Sequence, residues 1–259
     1  MDKKGIESEN IKVKNILITG ASGGIGRSLA MMASKNKYHV CLHYNQNFSG
    51  IKLLQKEIRS QGGSSDIYQA DISNENSVKN MFESIENNHG SLYALVNNAG
   101  IIYKSSKLEN LNEDRIKNVF NTNILGYMLC SKYAIKLMSS NHGNNGGRII
   151  NVSSAASRLG SPNEYIDYAC SKGAIDTLTR GLSLELADEK ILVNCVRPGF
   201  IHTNIHTLSG DCKRIEKLKD KIPLKRGGIP DEVSSAIIWL LSEGASYTTG
   251  SFIDIAGGK

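Results

Sequence analysis

The sequence predicts an α/β fold: a doubly wound parallel sheet of about seven strands, covered by helices on both faces in three layers. Three observations carry this. Runs rich in Val, Ile and Leu alternate with helix-like stretches along the chain. A glycine-rich string, Thr19-Gly20-Ala21-Ser22-Gly23-Gly24-Ile25-Gly26, joins the first apolar run to the first helical stretch. No repeat, low-complexity tract or linker interrupts the alternation. With 259 residues, the chain can bury one large core. Residues 1–11 read as a charged N-terminal extension, and 12–259 as a single domain.

The first strand is expected over residues 13–19, ending in the glycine string that opens a helix over 24–35. A second strand over 38–44 and a helix over 49–60 repeat the unit, as do a strand over 64–70 and a helix over 74–88. Short apolar runs of this length, too short for buried helices, fit strands covered on both faces. The fourth strand, 92–97, leads to a long helix over 112–139. The cluster His142-Gly143-Asn144-Asn145-Gly146-Gly147 then forces a turn before the strand at 148–153. A helix over 165–188, a strand over 191–197, a helix over 231–242 and a strand over 252–255 complete the order.

Composition excludes several classes. A hydrophobic fraction of 40% and a charged fraction of 22% are those of a globular protein. No apolar run reaches the roughly 18 residues that a membrane span needs, and the N-terminus lacks a signal-like apolar stretch. Five scattered cysteines without CxxC spacing imply reduced thiols and a cytoplasmic location. The net charge of +6 has no zinc-ligand set or recognition helix beside it, so nucleic acid is not an expected partner. His202 and His206 have a metal-like spacing but no third ligand, and no metal is expected there.

The glycine string is spaced Gly-x-x-x-Gly-x-Gly. Gly20, Gly24 and Gly26 would let the backbone come close to a ligand, and the amides of the following helix, with Ser22 and Ile25, could hold a pyrophosphate. Asp71, followed by Ile72, is placed to meet an adenine amine. Asn98, Ala99 and Gly100 end the fourth strand on the carboxyl edge, where ligands bind in such sheets. Pro198, Gly199, Ile201 and Thr203 follow the sixth strand on that edge and can meet a nicotinamide carboxamide. An acid at the end of the second strand would bind a ribose 2′-hydroxyl and repel a 2′-phosphate. The chain has Tyr44 and Asn45 there, which favours NADP(H) and leaves NAD(H) admissible; Gly23 stands where an arginine would strengthen the NADP(H) case.

Tyr168 and Lys172 lie one helical turn apart, about 6 Å along the axis. Lowering a tyrosine from its ordinary value near 10 by three units takes about 4 kcal/mol. A cation at about 4–5 Å in an effective dielectric of about 20 supplies roughly 3–4 kcal/mol, so Lys172, helped by an oxidised nicotinamide ring, suffices in principle. Tyr165 is a rival on nearly the same face, but two turns, about 10.5 Å, separate it from Lys172.

Together with Asn97–Gly100, Pro198-Gly199 and the ending Thr249–Gly258, these strings make the chain from Val13 to Gly258 resemble the short-chain dehydrogenase/reductase family. The resemblance implies a Rossmann-type fold and a catalytic group of Asn123, Ser154, Tyr168 and Lys172. It also implies cofactor contacts from Tyr168 and Lys172, a lid at about 203–222, and a homotetramer built through the two long helices and the last strand. The family pattern Gly-Arg-Ile-Ile-x-x-x-Ser selects Ser154 over Ser153, which is expected to hydrogen-bond locally. The implied reaction is reversible hydride transfer between NADP(H) and a small-molecule ketone or secondary alcohol. The alternatives are a 3-oxoacyl-carrier-protein reductase, a sugar-dehydrogenase-like relative, an enoyl reductase using Tyr165, and a non-catalytic NADP-binding sensor.

Overall fold

A computed structural model describes residues 13–203 and 214–259. The extension expected at 1–11 lies outside the described residues, as do His206 and the 204–213 part of the expected lid.

Seven strands form one wholly parallel sheet in the order β3-β2-β1-β4-β5-β6-β7. They are β1 (Asn15–Ile18), β2 (His39–Tyr44), β3 (Ser64–Gln69), β4 (Ala94–Asn97), β5 (Gly147–Val152), β6 (Ile191–Pro198) and β7 (Phe252–Ile255). The helices between them are α1 (Gly24–Lys35), α2 (Phe48–Ser60), α3 (Glu75–His89), α4 (Glu113–Phe120), α5 (Gly126–Met138), α6 (Ala156–Leu159), α7 (Ile166–Glu185), α8 (Arg214–Leu218) and α9 (Pro230–Leu241). The order reverses between β1 and β4, which opens a crevice outside their carboxyl ends.

Successive residues of a strand point to opposite faces. Ile16 and Ile18 therefore join the core under α1, α2 and α9, while Leu17 joins Leu95, Ile149 and Val193 under α3 and α5. Both sets are fully buried. Emptying one such site, as in Leu95→Ala, costs about 2–5 kcal/mol. Asn47, Asn74 and Asn112 cap the helices that follow them by accepting a backbone N–H.

The expected helix over 112–139 is not continuous. Its middle turn, Asn121–Leu125, is a π-helix between α4 and α5. Such a turn inserts one residue into the ladder, and sequence periodicity does not reveal it. The helix expected over 165–188 ends at Glu185, α6 has no counterpart in the sequence reading, and α8 carries Ile215 and Leu218 of the expected lid.

Candidate active site

The crevice begins where β1 runs into its glycine turn. Gly20 takes φ +65°, and a Cβ there would stand 2.9 Å from Ala99 Cα. At Gly26 it would stand 2.4 Å from the Gly20 carbonyl oxygen. Both contacts are below what a side chain tolerates, so glycine is required for the turn to pack against the end of β4. Asn98 locks this junction, donating from Nδ2 to the carbonyls of Thr19 (2.8 Å) and Gly20 (3.2 Å). Thr19 Oγ1 in turn accepts from the amides of Asn98 (2.9 Å) and Ala99 (3.0 Å).

His43 completes the floor. Its Nδ1 accepts from the Gly20 amide at 3.0 Å, and its Nε2 lies 3.0 Å from the Ala70 carbonyl, so one imidazole links the ends of β1, β2 and β3. Burial pushes its pKa down to about 4, which keeps the ring neutral and able to bridge both partners. Neither His43 nor Thr19 was named as a site residue from the sequence; the histidine sits inside a wholly buried strand pattern, and only the fold shows what it holds.

The other expected cofactor residues line the same crevice. Thr203 lies opposite Gly24, its Cβ and Cγ2 both 3.4 Å from where a Cβ on that glycine would be. Ser22, Gly24 and Ile25 are partly exposed at the start of α1. Asp71 Oδ1 accepts from the Ser73 amide and hydroxyl (2.9 and 2.7 Å), and Oδ2 has no partner among the described residues. The Ile72 side chain is buried against Gly126, so a contact from this residue would come from its backbone. The Pro198 carbonyl accepts from the Ala155 amide, Gly199 packs on Ala256, and Ile201 is buried beside Gly228. Tyr44 is core, packed against Phe48, and only Asn45 of the pair is exposed. Arg27, the basic residue of α1 nearest the turn, is paired with Glu57. A glycine turn without Cβ atoms, a helix start without acids in its first turn, and a carboxylate oxygen for an adenine amine fit a dinucleotide.

Beside this bed stand the four expected catalytic residues. Asn123, in the π turn, is fully buried: its Oδ1 accepts from the Ile101 amide (2.8 Å), and its Nδ2 donates to the Ile101 carbonyl (3.0 Å) and to Ser171 Oγ (3.1 Å). Ser171 donates to the Tyr168 carbonyl at 2.7 Å, so the asparagine side chain ties the strand end to α7. A Cβ at Gly100 would stand 3.3 Å from Asn123 Oδ1 and 3.8 Å from Lys172 Nζ, so all three converge. Ser154 Oγ accepts from the Ala156 amide at 3.1 Å, reaches the Pro198 carbonyl at 3.5 Å, and stands beside the Tyr168 hydroxyl, whose pKa it lowers. Ser153 is buried and donates to the Lys172 carbonyl at 3.0 Å, a long-range tie between β5 and α7 in place of the expected local bond.

Lys172 departs from the expectation in one respect. Its ammonium donates to the Val152 carbonyl at 2.7 Å and to the Tyr127 hydroxyl at 3.3 Å, and lies 5.6 Å from the Tyr168 ring centroid. Drawn to these partners, it does not lower the tyrosine: burial pushes the Tyr168 hydroxyl up to about 12, opposed by Ser154. Burial also brings Lys172 down to about 8, with Cys195 and Asp176 acting the other way. Tyr127, fully buried and donating to the same Val152 carbonyl at 3.2 Å, is a lysine-holding residue that sequence reasoning missed. The rival Tyr165 precedes the first turn of α7; its ring lies 5.0 Å under the Arg214 guanidinium, and its hydroxyl has no hydrogen-bond partner among the described residues. Arg214 grips Glu164 through both nitrogens (2.9 and 2.5 Å), which brings α8 against the residue before Tyr165.

A family model described as enoyl-(acyl carrier protein) reductase matches residues 20–259. The chain is 53% identical over 243 residues to the uncharacterized oxidoreductase YgfF of Escherichia coli K12, covering 94% of this chain and 98% of that protein. It is 34% identical over 246 residues to the 3-oxoacyl-[acyl-carrier-protein] reductase FabG of Staphylococcus epidermidis (95% and 98%). It is 33% identical over 247 residues to glucose 1-dehydrogenase 2 of Bacillus subtilis (95% and 94%). The crystal structure of a 3-ketoacyl-(acyl-carrier-protein) reductase from Brucella melitensis complexed with NADH superposes with a TM-score of 0.86 at 30% identity, over 95% of this chain and 97% of that one.

Proposed function

We propose that this chain, which belongs to the short-chain dehydrogenase/reductase family, works as a carbonyl reductase, passing hydride reversibly between NADP(H) and a ketone or secondary alcohol. One observation carries this reading: Asn123, Ser154, Tyr168 and Lys172 converge beside the glycine turn. Burial pushes the Tyr168 hydroxyl up, so it holds its proton at neutral pH, as a general acid in reduction must. Lys172, at about 8, keeps most of its positive charge there.

The bound dinucleotide supplies or accepts the hydride. In reduction, Ser154 donates a hydrogen bond to the carbonyl oxygen and orients it, and Tyr168 delivers a proton to that oxygen as it gains negative charge. Lys172 stabilises the phenolate left behind, and Asn123 fixes the loop after β4 against α7 so that all three stay aligned. Tyr168 must lose its proton for the reverse reaction, so oxidation is favoured by alkaline pH.

The preference for NADP(H) rests on the lack of any acid at Asn45, Gln46 and Asn47, where β2 ends. The substrate class, a small carbonyl compound or a 3-oxoacyl thioester, is supported by the relatives' names. A homotetramer is supported by apolar surface on the long helices: Leu125 and Met128 of the α4–α5 run and Leu184 of α7 are exposed. Four unpaired thiols among the described residues support a reducing, cytoplasmic setting. An enoyl-reductase reading, suggested by the matching model's description, needs Tyr165 as the acid, and Tyr165 lacks the serine partner that Tyr168 has.

The test is a fluorescence titration of the pure protein with NADPH and NADH, followed by a screen of ketones and 3-oxoacyl thioesters. Tighter NADPH binding with carbonyl turnover is expected. Tighter NADH binding would overturn the cofactor assignment, and binding of neither would return the chain to a non-catalytic reading.

A further inference from the structure

At the amino ends of β2 and β3, away from the crevice, four metal-ligating side chains meet. His39 and Cys41 are two residues apart on β2 and leave the same face of the strand. Asp66 of β3 is the register partner of Cys41, and Ser64 that of His39, so these side chains share that face as well. His89, the last residue of α3, is brought over them from above. Among the described residues, His39, Cys41 and His89 are the group whose donor atoms all lie within 4.8 Å of one another. Asp66 Oδ2 is 3.3 Å from His39 Nε2 and 3.4 Å from His89 Nε2.

Two features set this group apart from ordinary packing. His39 is 8% exposed, and its Nε2 faces Asp66 Oδ2 at 3.3 Å without meeting hydrogen-bond geometry with any partner among the described residues. Its other nitrogen, Nδ1, is already fixed 2.6 Å from Ser64 Oγ, the kind of outer contact that orients a ligating imidazole. His89 Nε2 lies 2.9 Å from the Tyr68 hydroxyl, which itself accepts from Asn88 Nδ2 at 3.1 Å, so Nδ1 is the His89 atom left to ligate. The two imidazoles face each other with ring centroids 4.5 Å apart.

We propose that His39, Cys41, Asp66 and His89 form a four-ligand site for a zinc-class divalent cation that clamps the end of α3 to strands β2 and β3. Two nitrogens, a sulfur and one carboxylate oxygen suit zinc and its neighbours and are a poor set for magnesium or calcium. Tetrahedral zinc, with bonds of about 2.0–2.3 Å, places its ligands about 3.3–3.8 Å apart. The Asp66–His39 pair already has that spacing, and the donor atoms of His39, Cys41 and His89, all within 4.8 Å of one another, need to close by about 1 Å. All four positions come from the protein and none is left open for substrate, so the role is structural. Burial and the neighbouring His89 hold His39 below its ordinary value, which keeps its lone pair available at neutral pH. Cys41 is buried as a thiol, so uptake of the cation deprotonates it, forms the metal–sulfur bond and releases one proton; affinity therefore rises with pH.

The experiment uses the full chain, stripped with a chelator and titrated with Co(II), then with Zn(II). One cobalt per chain is expected, with tetrahedral visible bands and a near-ultraviolet thiolate-to-cobalt band, all displaced by one equivalent of zinc. Cys41→Ser should lose the near-ultraviolet band. His89→Gln, at the rim and the milder change for folding, should bind cobalt at least about tenfold more weakly, the lower range seen even for outer contacts. Zinc should raise the unfolding midpoint of the parent and leave that of His89→Gln unmoved. Failure of cobalt to bind stoichiometrically, a spectrum without the thiolate band, or a band that survives Cys41→Ser would each overturn the site. NADPH titrations of the same samples report on the crevice separately, so neither result stands in for the other.

Discussion

Lys172 shows how a single residue carries opposed demands. It is 3% exposed, its ammonium satisfied by one carbonyl and one hydroxyl, and its pKa falls to about 8 because burial disfavours the charge. The unfolded chain would hold the proton up to about 10.5, so burying the charged lysine destabilises the fold below pH 8, and the penalty fades as pH rises from about 8 to 10.5. A shift of that size is worth about 3 kcal/mol at most. Lys172→Met should therefore abolish turnover while raising cofactor-free stability by about 1–3 kcal/mol at pH 7, the gain shrinking toward pH 10. Urea unfolding of both proteins at the two pH values measures this; a less stable variant at pH 7 would contradict it. Tyr168 and Lys172 stand out in the sequence because their types and spacing are themselves the chemistry, whereas Asn123 and Ser154 are named through the family resemblance. Tyr127 was not legible: a tyrosine inside an apolar helix face looks like packing until its hydroxyl is seen 3.3 Å from the lysine. The same holds for the direction of the Tyr168 shift, since spacing along a helix does not say where a lysine's long side chain turns.

At the scale of elements, alternation and the glycine string gave every strand and the main helices to within a few residues, because buried parallel strands are short apolar runs and few other patterns produce them. The failure was the long helix. Its π turn at Asn121–Leu125 has no composition of its own; it is held by Asn123, whose amide makes three bonds to the loop after β4 and to α7. Asn123→Ala would leave the Ile101 amide and carbonyl without their partner in a buried site, and should cost about 1–3 kcal/mol. It should also slow turnover, because the loop that carries Gly100 would no longer be fixed against Lys172. A loss below about 0.5 kcal/mol in equilibrium unfolding, within the range of an ordinary surface change, would show that the turn does not depend on this side chain. The His39, Cys41, Asp66 and His89 group was equally hidden, since the search for metal ligands rested on spacing and these residues come from three elements.

At the scale of the whole molecule, the sheet order places the glycine turn, the end of β4 and the segment after β6 around one crevice, and α7 sets Tyr168 beside it. That convergence was readable in outline from motif order alone, whereas the substrate was not, because the motifs specify a dinucleotide bed and an acid and none of them depends on what is reduced. The exposed Leu125, Met128 and Leu184 belong to the long helices, and pairing copies of the chain would bury them. Met128→Glu should then shift a sedimenting tetramer toward smaller species; an unchanged assembly would place the contact elsewhere. The central claim is that Tyr168 supplies the proton in carbonyl reduction. Its most direct test is the NADPH-dependent turnover of Tyr168→Phe, with NADPH affinity measured on the same sample and Tyr165→Phe as control. The expected result is a loss of at least about 100-fold in kcat, the lower range for removing a general acid, with NADPH affinity within a few-fold of the parent and Tyr165→Phe still active. Turnover close to that of the parent in Tyr168→Phe, or loss confined to Tyr165→Phe, would contradict it.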